Sequence, residues 1–268
     1  MAMPPLVPLG TPPKYCRRCY ALLPEDPFTG KRLDHCAAAC PALGRGPVSD
    51  VLAITYLTGW PLRQRIGSDI KYMKDKGERE HIPDVAGVLH RYLDANGEII
   101  QKVWRPTLVT YVATNQKKVA RRGFDHMQEI VNARPDNVRR FGIRAALAQV
   151  REDDLPAEDR QVRAEDWDVL PGVSTRGARV LLLDDTLTSG TTAASITQLL
   201  RSRGAAHVYL LVIARAIFKD DYVEVVTDLS KQSFDWNVCK LRSQLPAAAR
   251  TSAQQTEAEQ VSVVVRRR

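Results

Sequence analysis

The stretch Val180-Leu181-Leu182-Leu183-Asp184-Asp185-Thr186-Leu187-Thr188-Ser189-Gly190-Thr191-Thr192 decides how this chain is read. Four consecutive apolar residues predict a strand in a sheet covered on both faces. Two adjacent carboxylates end it, and a hydroxyl-rich turn with one glycine follows. From Ala193 to Arg203 the apolar residues Ala194, Ile196, Leu199 and Leu200 recur at helical spacing, and Gly204 stands where a C-terminal glycine cap belongs. The loop Thr186 to Thr192 therefore joins the carboxyl end of a strand to the amino end of a helix. Backbone N–H groups and the helix dipole converge there, which makes an anion site before any side chain is counted.

The side chains narrow the anion to a phosphorylated sugar. Thr188, Ser189, Thr191 and Thr192 add hydroxyl donors, and Gly190 lets the backbone approach a ligand closely. Asp184 and Asp185 repel a phosphate but are suited to accept hydrogen bonds from two neighbouring ribose hydroxyls. Phosphate in the loop and diol on the acid pair describe one ribose 5-phosphate. The plainer alternative is a strand–turn–helix whose two aspartates only cap the helix.

The stretch resembles the phosphoribosyl-pyrophosphate (PRPP) motif of type I phosphoribosyltransferases: four apolar residues, an acid pair, two more positions, then Thr-Ser-Gly-x-Thr. Thr186 departs from the aliphatic residue usual in that family. Family members acting on 6-oxopurines carry an aspartate where this chain has Thr188, so the loop is more similar to orotate-type and amidotransferase-type members. The fold implied is a doubly wound, mainly parallel α/β sheet. The resemblance implies displacement of diphosphate from PRPP by a nitrogen nucleophile, with Mg²⁺ bridging diphosphate and ribose hydroxyls. Asp184 and Asp185 would hold the ribose, and Thr186, Thr188, Ser189, Gly190, Thr191 and Thr192 would hold the 5′-phosphate. No residue stands out as a general base, and nothing identifies the acceptor.

At 268 residues and 44% apolar content, the chain is long enough for one ordinary domain and an appendage. No window approaches the uninterrupted apolar length of a membrane span, and Met-Ala-Met-Pro-Pro is no secretion signal, so a cytoplasmic setting is expected. The net charge of +8 is concentrated: residues 101 to 151 hold eleven Lys/Arg against three Asp/Glu. Such a local excess points to a polyanionic partner, either PRPP or nucleic acid.

After a proline-rich lead over residues 1 to 13 come Cys16-x-x-Cys19 and Cys36-x-x-x-Cys40. These pairs suit a tetrahedral thiolate zinc site of structural type, because four protein ligands leave no open position. Free thiols and disulfides are the alternatives, and a cytoplasmic setting argues against disulfides. His35 is a possible substitute ligand; Cys239 reads as a buried small side chain. Val51 to Leu57 predicts a strand. Leu62, Ile66, Ile70 and Met73 predict a helix whose Arg63, Arg65, Lys71, Lys74 and Lys76 form a solvated basic face. A second helix is expected from Pro83 to Leu93, ended by an Asn96-Gly97 turn. Leu108 to Ala113 predicts a strand leading to a second loop, across the crevice of a doubly wound sheet. Lys117, Lys118, Arg121 and Arg122 are candidates there to neutralise a diphosphate, or else form a basic surface patch. A helix follows from Asp125 to Asn132, and another, basic one is expected over Arg134 to Gln149. Residues 151 to 168 read as a lid-like excursion, His207 to Ala214 as a buried strand, Tyr222 to Val226 as an edge strand, and residues from Pro246 onward as a disordered tail.

The cysteine pairs, Tyr56-x-x-Gly59 with a basic helix containing Lys71, Arg122-Gly123-Phe124 heading a helix, the acid-pair loop, and Ala214-Arg215 closing a strand occur here in one order. In that order they resemble the ComF family. The resemblance covers about residues 16 to 215 and implies a phosphoribosyltransferase-like domain over 49–230 behind a zinc-ribbon-like module over 1–48. It further implies a DNA-uptake or helicase partner, and the alternative to an enzyme is a non-catalytic protein of the same fold that senses PRPP or a nucleotide or handles single-stranded DNA. Asp125-His126 departs from the Asn-Gln usual after Arg-Gly-Phe, and 231–268 is an extension outside the pattern.

Overall fold

The computed structural model describes residues 48–58, 65–133, 141–151, 161–217 and 234–245. Its first strand, β1 (Asp50–Thr58), leads to α1 (Arg65–Lys71), which tightens into a π turn over Tyr72–Lys76. The long helix α2 (Ile82–Val103) carries the chain to β2 (Leu108–Tyr111). Two short helices follow, α3 (Gln116–Arg122) and α4 (His126–Asn132), then the antiparallel pair β3 (Leu147–Gln149) and β4 (Trp167–Val169). The motif strand β5 (Arg179–Leu187), its helix α5 (Thr191–Ser202) and β6 (His207–Ile217) complete the main body.

Strands β1, β6, β5 and β2 lie side by side in that order, all parallel. This is the doubly wound α/β architecture expected from the motif. Strand alternation divides the core in two. Leu52, Ile54, Leu181, Leu183, Leu211 and Ile213 face one layer, filled by α1, α2 and α4 through residues such as Ile70, Leu89 and Ile130. Val51, Ala53, Val180, Leu182, Leu210 and Val212 face the other, filled by Ile196 and Leu200 of α5 and by Leu147 and Trp167. The helix after β5 thus lies on one face, and α4, after the adjacent β2, lies on the opposite face. Between two such strands the loops at the carboxyl ends part and leave a crevice.

Several sequence expectations change. The Asn96-Gly97 turn is absent: α2 runs through it to Val103. Asn96 is buried and donates through Nδ2 to the Tyr92 and Trp236 carbonyls, and Gly97 lies so close to Phe141 that a Cβ would stand 2.9 Å from its ring. Tertiary contacts keep a turn-prone pair helical. The helix expected over Arg134 to Gln149 is not formed in its described part, 141–149. There Arg144 N–H bonds the Val109 carbonyl, and Leu147–Gln149 pairs with β4. The lid-like excursion is packed at its described end, where Arg163 N–H donates to Ser195 Oγ on α5 and Trp167 is buried. Helix α5 begins at Thr191, two residues before the expected Ala193.

From the C-terminal extension, Phe234, Trp236, Leu241 and Leu245 pack against the first core layer, and Cys239 is buried there as a free thiol. The four paired cysteines, the Tyr222 to Val226 strand and the expected tail from Pro246 fall outside the described residues. Among the described residues no helix is long and apolar enough to cross a membrane.

Candidate functional site

The crevice between β5 and β2 is a cleft of about 280 Å³, lined by Val112–Asn115 after β2, by Lys118, Arg122 and His126, by Asp184, Asp185 and Thr186 at the end of β5, and by Thr188, Thr191 and Thr192 beyond it. A small adjoining hollow of about 30 Å³ takes in Asp184 and the turn through Ser189 and Gly190 to Ala193. All eight positions expected from the motif therefore meet in one place.

Local structure explains the turn. Gly190 has φ +81° at the entry to α5, a conformation natural to glycine. Gly190 has no side chain to cap the helix; Thr191 N–H reaches back to Ser189 Oγ at 3.4 Å, and the next N–H groups of the first turn open toward the hollow. Ser189 Oγ lies 2.9 Å from Thr191 Oγ1, which orients both hydroxyls. Behind the turn, Arg215 of β6 is 4% exposed and donates from Nη1 to the carbonyls of Leu187 and Thr188, bracing the turn from below. Thr186 Oγ1 is buried at the cleft with no partner among the described residues.

Opposite, Asn115 caps α3 by accepting from Lys117 and Lys118 N–H, and Gly123 ends it at φ +84°. On this short helix Lys118 and Arg122 are four residues apart and share a face, which lines the cleft. Lys117 and Arg121 are exposed on the far side and do not line it. Asp125 caps α4 through Met127 N–H and Gln128 N–H, and also accepts from the N–H and hydroxyl of Thr114, tying the β2 loop to the helix.

The acid pair is not symmetric. β5 continues past it to Leu187, so its two carboxyls leave opposite faces. Asp184 is half-buried and lines both the cleft and the hollow; its Oδ1 accepts from Asp185 N–H at 2.9 Å. Burial, with the charge of Asp185 beside it, pushes its pKa up to about 8. Asp185 is 2% exposed. Its carboxylate meets Lys74 Nζ at 3.1 Å and His126 Nε2 at 2.7 Å. Burial pushes Asp185 up as well, but Lys74 and His126 outweigh it and hold the carboxyl far below the usual range. His126 Nδ1 lies 3.2 Å from Arg122 Nη1 and 2.7 Å from Thr114 Oγ1. Since an ionised carboxylate only accepts, Nε2 carries the proton to Asp185.

Lys74 and His126 are the site residues that sequence reasoning missed. The sequence places Lys74 on a solvated basic face, yet the π turn after α1 directs it into the cleft while Met73 beside it is fully buried. His126 had a signal, as a departure from the family pattern after Arg-Gly-Phe. A third wall, of Gln149, Gln161, Asp166 and Trp167, comes from the β3–β4 region.

Fold and site together define a parallel α/β protein with a glycine turn and a helix N-terminus at the switch point of its sheet. No family model and no curated protein matches the chain. Among solved structures it is similar to a hypoxanthine phosphoribosyltransferase from Staphylococcus aureus in two crystal forms. The orthorhombic form is 15% identical, covering 53% of this chain and 76% of that one, with a TM-score of 0.31. The tetragonal form is 13% identical, covering 52% and 75%, also at 0.31.

Proposed function

We propose that the cleft binds PRPP with Mg²⁺ and transfers its phosphoribosyl group to a nitrogen acceptor. One observation carries this reading: the turn at the N-terminus of α5, the carboxyl of Asp184 and a pair of cations, Lys118 and Arg122, all line a single cleft. That sequence of charge fits a sugar diol flanked by two phosphate groups.

In this reading the N-terminus of α5, with Ser189, Thr191 and Thr192, holds the 5′-phosphate and so positions the sugar by remote binding energy. Asp184, which lines the cleft, accepts from the ribose hydroxyls, and in the ionised form that a bound cation favours it opposes positive charge that develops on the sugar. The bond from C1 to the diphosphate breaks, a bond from C1 to nitrogen forms, and the acceptor's proton leaves to solvent. Lys118 and Arg122 stabilise the departing diphosphate. Asp184 and the threonine hydroxyls would hold a cation through hard oxygens, which suits Mg²⁺, and the ion would supply neutralisation of the diphosphate's charge. The acceptor is expected against Gln149, Asp166 and Trp167. Thr188 in place of an acid gives no reason to assign a 6-oxopurine.

The N-terminal cysteines Cys16, Cys19, Cys36 and Cys40 form a four-thiolate donor set, and structural zinc is proposed there on that chemistry. One equivalent of zinc per chain, lost in Cys16→Ser, is the expected metal analysis.

The deciding measurement is calorimetric titration of PRPP and Mg²⁺ into the full chain, beside the Asp184→Asn/Asp185→Asn variant. Saturable binding that the variant lacks is the expected result. No heat at millimolar PRPP, from folded and zinc-loaded protein, would refute the reading. Salt-sensitive heat with single-stranded DNA alone would then favour the nucleic-acid role instead.

A further inference from the structure

Two neighbouring aspartates on one strand cannot present their carboxyls in the same direction, and here the consequence is functional. Asp184 leaves β5 on the face of Val180 and Leu182, toward α5 and the anion-binding turn. Asp185 leaves on the face of Leu181 and Leu183, toward α1 and α4, and meets Lys74 and His126 there. At 2% exposure, with bonds from two donors, Asp185 has little surface left for a ligand.

Lys74 differs. Its side chain remains 34% exposed although Asp185 holds it, and it lines the cleft beside Arg122. An ammonium has three N–H groups, so two contacts to Asp185 leave one to direct outward. Its backbone is fixed by the π turn, which Gly77 closes at φ +72° with its N–H on the Tyr72 carbonyl. Gly77 sits against the backbone of Arg122, so the turn docks on the end of α3 that carries the other cleft cation. Turns of the π type gather at functional sites, since the extra residue re-aims a side chain.

We propose that the acid pair is divided in labour: Asp184 serves the sugar, whereas Asp185 positions Lys74 as a further diphosphate-binding residue, supplied from the opposite side of the sheet. This rests on the ribose-phosphate reading of the cleft and adds to it a cation that the loop after β2 does not provide. Held by Asp185 and placed beside Arg122, Lys74 has its geometry set before a ligand arrives, so its contribution belongs to the diphosphate end.

The test is calorimetry on the full chain with Mg²⁺–PRPP, Mg²⁺–pyrophosphate and ribose 5-phosphate, for wild type, Lys74→Gln and Lys74→Arg. Lys74→Gln is expected to weaken PRPP and pyrophosphate about tenfold or more, as loss of a charge-assisted bond requires, and to leave ribose 5-phosphate within about twofold. Lys74→Arg should restore most of the diphosphate affinity. Equal weakening of all three ligands would mark Lys74 as merely structural, and unchanged pyrophosphate binding would also overturn the proposal. Should Lys74→Gln not fold, wild-type protein answers by amine labelling read by mass spectrometry. Pyrophosphate is expected to protect Lys74 where ribose 5-phosphate does not; protection by neither, or by both alike, overturns it. Wild type that binds none of the three ligands refutes the ribose-phosphate reading itself. Wild type that binds all three with Lys74 indifferent refutes only the division of labour.

Discussion

Asp184 and Asp185 are joined by one peptide bond and titrate in opposite directions. Asp184 keeps its proton in the folded protein from its ordinary value of 3.8 up to about 8, through burial and the neighbouring charge. Over that window the unfolded chain has already released the proton, so Asp184 makes the fold progressively less stable as pH rises. Asp185 is depressed by Lys74 and His126 against the pull of burial, so its contribution is present above its ordinary value and lost only as pH falls below it. Asp184→Asn cannot ionise and still accepts from Asp185 N–H. Its stability gain over wild type, read from ligand-free denaturant melts, should grow between pH 4 and 8 to at least about 1 kcal/mol. Parallel pH profiles would count against the assignment. The same variant should lose PRPP binding, a stability–function exchange common at active sites. At this scale the sequence marked the acid pair and treated its members alike, whereas the fold gives them different surroundings. The apolar lead implied a strand, but where that strand stops decides whether the two carboxyls diverge, and β5 stops two residues after the pair.

Among the elements, the turn after β5 depends on a residue of the next strand. Arg215 is buried and its guanidinium satisfies the Leu187 and Thr188 carbonyls. Arg215→Met should leave those carbonyls unpaired, cost about 1–3 kcal/mol in chemical melts, and weaken ribose 5-phosphate binding about tenfold through a displaced turn. Unaltered affinity in a folded variant would show that the turn holds its own shape. Helix α2 makes a second case. Gly97 has no room for a side chain against Phe141, so Gly97→Val should destabilise by about 1–3 kcal/mol despite valine's better helix propensity. Ligand affinity should stay unchanged. The helices α1 and α4 and the strands β1, β2, β5 and β6 were legible because their apolar periods are clean. Asn96-Gly97 misled because a local turn preference of about 1 kcal/mol is outweighed by burial against Phe141 and Trp236.

For the molecule as a whole, residues 234–245 close the first core layer. Trp236 accepts from Asn96 through its carbonyl and lies under the Arg91 guanidinium, whose carbon is 4.8 Å from the ring, and Lys240 pairs with Asp50 at 2.5 Å at the start of β1. Trp236→Ala should lower stability by about 1–3 kcal/mol without changing PRPP affinity, as seen by comparing melts with titrations. An affinity loss without a stability loss would contradict this packing role. The sequence by itself determined the elements and the chemistry of the central turn: a buried strand, an acid pair, hydroxyls and a glycine are local signals carried by a dozen residues. It also placed the second loop across the crevice, because adjacent parallel strands with helices on opposite faces leave only that opening. Tertiary structure alone decided which cations enter the cleft and which carboxylate faces it. Lys74 and Asp185 are over a hundred positions apart, and His126 and Asp185 nearly sixty, so no window of sequence holds either pair. A charged residue declares its solvation only when the layers close over it, and here they closed over one aspartate and left its neighbour at the cleft.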